Sequence, residues 1–198
     1  MKDEIESWRL FVTIELPAGV RERLREHISR LRTLVPDARA SWGREENLHL
    51  TLKFFGDVPL AKVESIVQAT ESTARMFGPF ELIVGGCGAF PPNGQPRVLW
   101  IGIEDPSGRL GLLHQTLEAE CEKAGFARER RLFHPHLTIA RLRQPQGSRQ
   151  LATIHKELGF DRKTVLASDL AVIRSELRSG GARHTIVARH ALASSKTD

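Results

Sequence analysis

Apolar and polar residues alternate over residues 48–55, which read Leu-His-Leu-Thr-Leu-Lys-Phe-Phe. A period of two is typical of a strand with one buried face, so the leucines face the core while His49 and Thr51 share the opposite face. The same pattern returns at residues 136–139, where His136 and Thr138 share a face and the residues between them are apolar. The chain therefore contains two predicted His-x-Thr strands, 87 residues apart.

The remaining pattern predicts strands interleaved with helices. The predicted strands are 9–16, 80–84, 97–103, 170–177 and 185–192, and the predicted helices are 20–34, 60–76, 107–124 with Ser107 as its cap, and 148–158. Turns are expected at 56–59 and, as a hairpin, at 178–181. The glycine-rich segment 85–94 is expected to be flexible or tightly turned, and either edges the cleft or is a plain hairpin loop. The last residues, 194–198, are expected to fray. This order of elements predicts an α+β fold rather than a parallel doubly wound one.

Composition is that of a globular protein, with 40% hydrophobic and 27% charged residues in a chain of 198. That length allows one domain or two packed lobes. No apolar run is long enough to span a bilayer, and the polar start does not resemble a signal peptide. Two cysteines are too few for a disulfide framework or a thiolate metal site, which favours a reducing intracellular setting.

The net charge of +5 favours an anionic partner, and nucleic acid is one candidate. With no tyrosine and 6% aromatic residues, an extended surface for stacking bases is not expected. Any nucleotide contact should therefore be local, around a phosphate and one or two bases.

The repeated His-x-Thr strands suggest two similar lobes that line one cleft. Imidazole exchanges protons near neutral pH, and a threonine hydroxyl can donate to a phosphate oxygen, so the pair suits a phosphodiester. The plainer interpretation of each copy is a polar outer face. Regular alternation places Lys53 on the same strand face as His49. It could offset phosphate charge there, or it could be an exposed lysine at a strand end. Regular alternation places Arg141 on the face opposite to that of His136. Its side chain therefore reaches the cleft only if the strand ends or bulges before it.

The two motifs resemble the paired signature of the 2H phosphoesterase superfamily, and the chain is similar to its RNA 2′,3′-cyclic phosphodiesterase branch, also called bacterial and archaeal 2′-5′ RNA ligases. The resemblance covers nearly the full length. Beyond the motifs it includes 9–11 with Pro17, 55–56, 97–100, 134–135, Arg141 and 175–177 before Gly181. His184 departs from the tyrosine of the family pattern. Because its strand is distant from both motifs in the sequence, we expect it to affect only substrate detail.

The resemblance implies one bilobal phosphoesterase domain over residues 1–198, with pseudo-symmetric lobes, each an antiparallel sheet with outer helices, around a central cleft. It implies hydrolysis of RNA 2′,3′-cyclic phosphate ends to 2′-phosphates without metal or cofactor, and in some members reversible 2′-5′ joining of tRNA halves. The expected partners are such RNAs, with no membrane, for a cytoplasmic monomer. The implied site residues are the catalytic His49 and His136, the phosphate-binding Thr51 and Thr138, and, for further substrate contacts, Arg141, His134, Lys53 and Phe11.

Two other functions remain open at this point. His134 and His136 could chelate zinc as a His-x-His pair on a strand, although a third ligand is not evident. The chain could also be a non-catalytic RNA-binding module whose histidines only contact phosphate. Phosphate binding alone would be served better by arginine or lysine, which favours catalysis. The family pattern assigns the base to His136 and the acid to His49, whereas the residues themselves do not distinguish the two.

Overall fold

The computed structural model describes residues 6–179 and 181–193, which form nine strands and four α-helices. The strands are β1 (Ser7–Glu15), β2 (Ala40–Trp42), β3 (His49–Pro59), β4 (Phe80–Phe90), β5 (Val98–Glu104), β6 (His136–Leu142), β7 (Lys163–Ala167), β8 (Asp169–Arg178) and β9 (Gly181–Ala191). The helices are α1 (Ala18–Leu34), α2 (Val63–Arg75), α3 (Arg109–Lys123) and α4 (Ser148–Leu158). Between them they confirm the predicted α+β class.

The strands form two antiparallel sheets. The first sheet has the order β3-β1-β8-β9, and the second has the order β2-β6-β5-β4-β7. One His-x-Thr strand belongs to each sheet, β3 at the edge of the first and β6 inside the second. A single cluster of buried side chains contains residues of both sheets and all four helices, so the two halves share a core.

The amphipathic helices cover the faces of the sheets that turn away from the motifs. In α1 the buried residues are Val20, Leu24, His27, Ile28 and Leu31, spaced three or four apart as one helical face requires. In α3 the corresponding apolar residues are Leu110, Leu113, Leu117 and Cys121. The predicted periodicity of both helices is therefore confirmed, and the opposite faces of the sheets are left for the site.

The segment between β2 and β3 joins the two sheets at the motifs. β2 pairs with β6, and just after β2 the amide of Gly43 donates to the carbonyl of Ile139 at 2.8 Å. A Cβ at Gly43 would lie 3.0 Å from the side chain of Leu48 and 3.3 Å from that carbonyl, so glycine permits this close approach. The chain then enters β3 at His49, which places β3 against β6.

Both motif strands carry a β-bulge directly after the threonine. In the first sheet Thr13 pairs with Thr51 but Val12 pairs with Lys53, which leaves Leu52 as the extra residue. In the second sheet Trp100 pairs with Thr138 but Leu99 pairs with Ala140, which leaves Ile139 as the extra residue. A bulge shifts the alternation by one residue, so side chains beyond it change faces.

Several local predictions were wrong. Residues 56–59 are not a turn but the end of β3, paired with β1 as far as Ser7 opposite Pro59. The glycine-rich segment is not a loop before Phe90: β4 continues through it, because its glycines make room for neighbours. A Cβ at Gly88 would lie 2.0 Å from the Trp100 ring. The short strands β2 and β7 had not been predicted.

The helix predicted from 107 begins at Arg109, after Gly108 in a left-handed conformation. Ser107 still contributes there, since its hydroxyl accepts from the Arg109 amide at 3.2 Å, and Asp105 accepts from the Leu110 amide at 2.7 Å. The expected hairpin joins β8 and β9 as predicted. The prediction for 194–198 lies outside the described residues.

Candidate active site

His49 lies on an aromatic support supplied by the neighbouring strand. The ring of Phe11, on β1, is stacked under the imidazole with centroids 4.8 Å apart and an interplanar angle of 22°. Phe11 itself is 2% exposed, so it holds His49 in place rather than presenting a surface to a substrate. The resemblance had placed Phe11 among the substrate contacts, and its position in the structure is beneath that layer.

A second histidine, His184 on β9, reaches the same support. Its ring centroid lies 5.3 Å from that of His49 and 5.0 Å from that of Phe11. Burial lowers the pKa of His49 to about 4, and the adjacent His184 contributes a smaller lowering. His184 is therefore part of the electrostatic setting of His49. The sheet brings together strands that are distant in the sequence, so we now expect this departure to affect His49 as well as substrate detail.

His136 is oriented by the backbone. Its Nδ1 lies 2.6 Å from the carbonyl oxygen of His134, and because a carbonyl can only accept, Nδ1 carries the hydrogen. This leaves Nε2 as the atom available for proton transfer. The ring of Phe90 meets the His136 ring edge-on at 5.2 Å and lies 5.3 Å from that of Trp100. The exposed side chain of His134 takes no part in orienting His136; only its carbonyl does.

Thr51 and Thr138 are both partly buried and share the faces of their histidines, as the alternation predicted. Thr51 lies opposite Thr13 on β1, and Thr138 opposite Trp100 on β5. In each sheet the structure therefore places one imidazole and one hydroxyl side by side on one face.

Beyond the bulges the faces change, which brings Arg141 of β6 and Phe54 of β3 to the faces that carry the motifs. Arg141 pairs with Val98, on the face that carries Trp100 and Thr138, and its side chain is exposed. The bulge on which its inclusion depended is present. Phe54, at the equivalent position of β3, pairs with Phe11 and lies 5.4 Å from its ring, with 65% of its surface exposed.

Lys53 is the residue that the bulge removes from the site. The strand face predicted for Lys53 was wrong. Its side chain is 6% exposed, and its ammonium donates to Glu118 at 2.7 Å and to the carbonyl of Ala127 at 2.9 Å. Glu118 is also buried, so this is an internal ion pair that attaches β3 to α3. With its donors engaged, Lys53 does not offset phosphate charge in this structure.

Comparison with known proteins identifies the group to which these features belong. The sequence profile of the 2′-5′ RNA ligase superfamily matches residues 20–178. The chain belongs to the 2′-5′ RNA ligase superfamily. It is 36% identical over 180 residues to a protein of Methanothermobacter thermautotrophicus named RNA 2′,3′-cyclic phosphodiesterase, with 89% of this chain and 95% of the relative covered.

Solved structures of other proteins have the same fold as this chain. A protein of Thermus thermophilus superposes with a TM-score of 0.75 at 27% identity, over 94% of this chain and 98% of that one. LigT of Escherichia coli, in a complex with 3′-AMP, superposes with a TM-score of 0.73 at 26% identity, over 94% and 99% of the two chains. These matches confirm the predicted fold and the predicted family.

Three features of the site were missed by the sequence reasoning: Phe54, Phe90 and the contact of His184 with His49. Phe54 could not have been found, because unbroken alternation assigns it to the core. Phe90 ends the glycine-rich segment and could have been noticed as an aromatic residue close to a glycine that accommodates Trp100.

The zinc hypothesis would require a third ligand beside His134 and His136. In the part of the chain that the structure describes, the grouping of three possible ligands lies elsewhere, at His27, Cys87 and His155. The Nδ1 of His136 is already bound to a carbonyl.

No helix among the described residues is long and apolar enough to cross a membrane.

Proposed function

We propose that this protein hydrolyses RNA 2′,3′-cyclic phosphate ends to 2′-phosphates, with His49 and His136 as its acid/base pair. The observation that supports this most directly is the duplication: two adjacent strands each present an imidazole and a hydroxyl on one face, with a bulge at the same position after each. Relatives carrying the name RNA 2′,3′-cyclic phosphodiesterase support the same reaction. Since both histidines come from one chain, we propose that the monomer is active, as one bilobal domain.

The reaction needs one proton removed and one delivered. A base takes a proton from water, the water oxygen bonds to phosphorus, the bond from phosphorus to the ribose 3′ oxygen breaks, and an acid protonates that oxygen. Thr51 and Thr138 donate to the non-bridging oxygens, whose charge grows in the transition state. With the 5′ hydroxyl of a second RNA end in place of water, the same step would join the two ends through a 2′-5′ phosphodiester bond, and the ribose 3′ oxygen would again leave and be protonated.

Two observations point in opposite directions on which histidine is the base. The family pattern assigns the base to His136. The pKa of about 4 for His49 keeps it neutral at pH 7, which suits a base in the substrate-free protein, whereas a bound phosphate anion would favour the protonated ring. Substrate binding therefore decides the order.

The test is turnover of cytidine 2′,3′-cyclic phosphate followed by phosphorus NMR. His49→Ala and His136→Ala should each lose roughly two to four orders of magnitude in rate, and the double variant should be little worse than either. His134→Ala is the matched control. It keeps the backbone carbonyl that orients His136, so it should remain active, whereas a zinc site would make it as damaging as His136→Ala. Near-wild-type turnover by a folded His49→Ala or His136→Ala protein would refute the proposal.

A substrate with sulfur in place of the leaving 3′ oxygen separates acid from base. A thiolate leaves without protonation, so this substrate should restore the rate of the variant that lacks the acid and not of the variant that lacks the base. Restoration in the His49→Ala protein assigns the acid to His49, as the family pattern has it. Restoration in the His136→Ala protein assigns the reverse order.

A cavity with three arginines in its lining lies beside the segment that joins β2 to β3. It supports contact with RNA beyond the reacting end. Its volume is about 390 Å³, and it lies between α1 and the segment after β2. Its lining includes Arg25, Arg32, Arg44 and Trp42 together with Glu45, and Arg25 is paired with Glu22 and Glu45. Cationic side chains with an aromatic ring suit a phosphodiester backbone and a base, and we propose that RNA upstream of the cyclic phosphate contacts this cavity.

A further inference from the structure

Three potential metal ligands meet on the face of the second sheet that is turned away from the motifs. His27 of α1, His155 of α4 and Cys87 of β4 place their donor atoms within 4.8 Å of one another. Nε2 of His27 and Nδ1 of His155 are 2.9 Å apart. The two imidazoles are buried, at 5% and 0% exposure, while Cys87 is partly exposed and offers a way in.

The sheet is shaped to aim Cys87 at these helices. In regular alternation Cys87 would share the face of Gly85, which pairs with Gly102 on the side that carries Trp100. Gly86, at φ +74°, forms a bulge, and Cys87 pairs instead with Ile101, whose side chain is in the core. A bulge that turns one side chain to the other face is a recurring device near functional sites.

The tautomer of His155 is already the one that a metal requires. Its Nε2 lies 3.0 Å from the carbonyl oxygen of Trp100, so Nε2 carries the hydrogen and Nδ1 offers its lone pair to the cluster. Histidines that bind metals usually donate their other ring N–H to such an acceptor, which fixes the ring and raises its basicity.

We propose that His27, Cys87 and His155 bind a divalent transition metal ion, Zn²⁺ in the first place, at a site that joins α1, α4 and β4. Two imidazoles and one thiolate are borderline to soft donors, which suit Zn²⁺ and exclude Mg²⁺ and Ca²⁺. Binding moves the hydrogen that Nε2 of His27 now donates to His155 onto Nδ1 of the His27 ring, and it releases the proton of the Cys87 thiol to solvent. The ion stands apart from the acid/base pair and stabilises the sheet behind it.

The probe is Co²⁺ titrated into the metal-free wild-type protein, followed by its visible absorption and by the thiolate-to-cobalt charge-transfer band in the near ultraviolet. One Co²⁺ per chain should bind with that band and be displaced by Zn²⁺. Cys87→Ser should lose the band, and its affinity for Co²⁺ should be lower by roughly ten-fold or more. Removing a group that only supports a metal ligand already lowers affinity by about that factor. Cys121→Ser, a buried cysteine of α3 outside the cluster, is the matched control and should keep both.

Three readouts separate this site from the proposed reaction. His49→Ala should bind Co²⁺ normally, Cys87→Ser should retain turnover of the cyclic substrate, and Zn²⁺ should raise the melting temperature of wild type by more than that of Cys87→Ser. Wild-type protein that binds no Co²⁺, or Cys87→Ser protein that binds it with an unchanged charge-transfer band, would show that the cluster is a hydrogen-bonded histidine pair beside a cysteine.

Discussion

Replacing His184 by glutamine should raise the pKa of His49. The lowering from an ordinary 6.5 to about 4 corresponds to about 3 kcal/mol in favour of the neutral ring. At pH 7 about one His49 in a thousand is then protonated, against about one in four at the ordinary value. Burial is the larger cause and remains in the variant, so His184→Gln, which removes only the neighbouring charge, should recover less than half of the lowering.

The measurement is an NMR titration of labelled histidine rings from pH 3 to 9, with the His49 signal assigned through its absence in His49→Gln. The matched control is His190→Gln, which changes another histidine of β9 and should leave the titration of His49 unchanged. In the pH–rate profile, whichever limb belongs to His49 should move to higher pH in His184→Gln. An unchanged or lower pKa for His49 in that variant would mean that its charge coupling to His184 is absent.

Four further predictions concern other parts of the structure. Lys53→Met should destabilise the protein by roughly 3 kcal/mol in urea unfolding, because the buried Glu118 carboxylate loses its lysine partner and retains the Glu129 amide at 3.0 Å and the His114 ring at 3.9 Å; a change confined to KM would instead place Lys53 in the cleft. Phe54→Ala should leave stability nearly unchanged, since the ring is 65% exposed, and should raise KM for a cyclic dinucleotide; an unchanged KM would remove Phe54 from the substrate site. The folded protein keeps His49 neutral, whereas the unfolded chain protonates it below pH 6.5, so the free energy of unfolding decreases as the pH falls towards 4. Between pH 7 and 5 the free energy of unfolding of wild type should fall by up to about 2 kcal/mol more than that of His49→Gln. Equal decreases would contradict the low pKa of His49. Arg32→Ala should reduce the salt dependence of binding to a tRNA-sized substrate but not to a cyclic mononucleotide, and equal salt slopes for both substrates in wild type would confine recognition to the phosphate site.

The sequence was sufficient for the parts of the site that depend on short-range alternation. His49 with Thr51, and His136 with Thr138, lie within three residues of one another before any irregularity, so their shared faces followed from the pleat. The fold class followed from the order of strands and helices. The buried faces of the helices followed from apolar residues spaced three and four apart, a spacing that depends only on helix geometry.

What failed depended on single extra residues and on distant pairing. One inserted residue reverses every later side chain of a strand, which is why Lys53 was assigned to the cleft and Phe54 to the core. The glycines of β4 looked like a loop because the ring they accommodate, that of Trp100, belongs to another strand. His184 is 135 residues from His49 in the sequence, and only the pairing of strands in the first sheet reveals their contact.

The equivalent positions Phe54 and Arg141 carry a consequence for regiochemistry. In a 2′,3′-cyclic phosphate the two ribose oxygens are attached to the same phosphorus and are nearly mirror-related, so a perfectly two-fold arrangement of histidines and threonines would accept the ring in either orientation. Such a site would release 2′- and 3′-phosphates alike. An aromatic ring on one strand and a guanidinium on the other abolish that equivalence, since one attracts a base and the other a phosphate. We therefore expect the two residues that the bulges bring to the surface to influence which ribose oxygen keeps the phosphate, together with the unlike surroundings of His49 and His136.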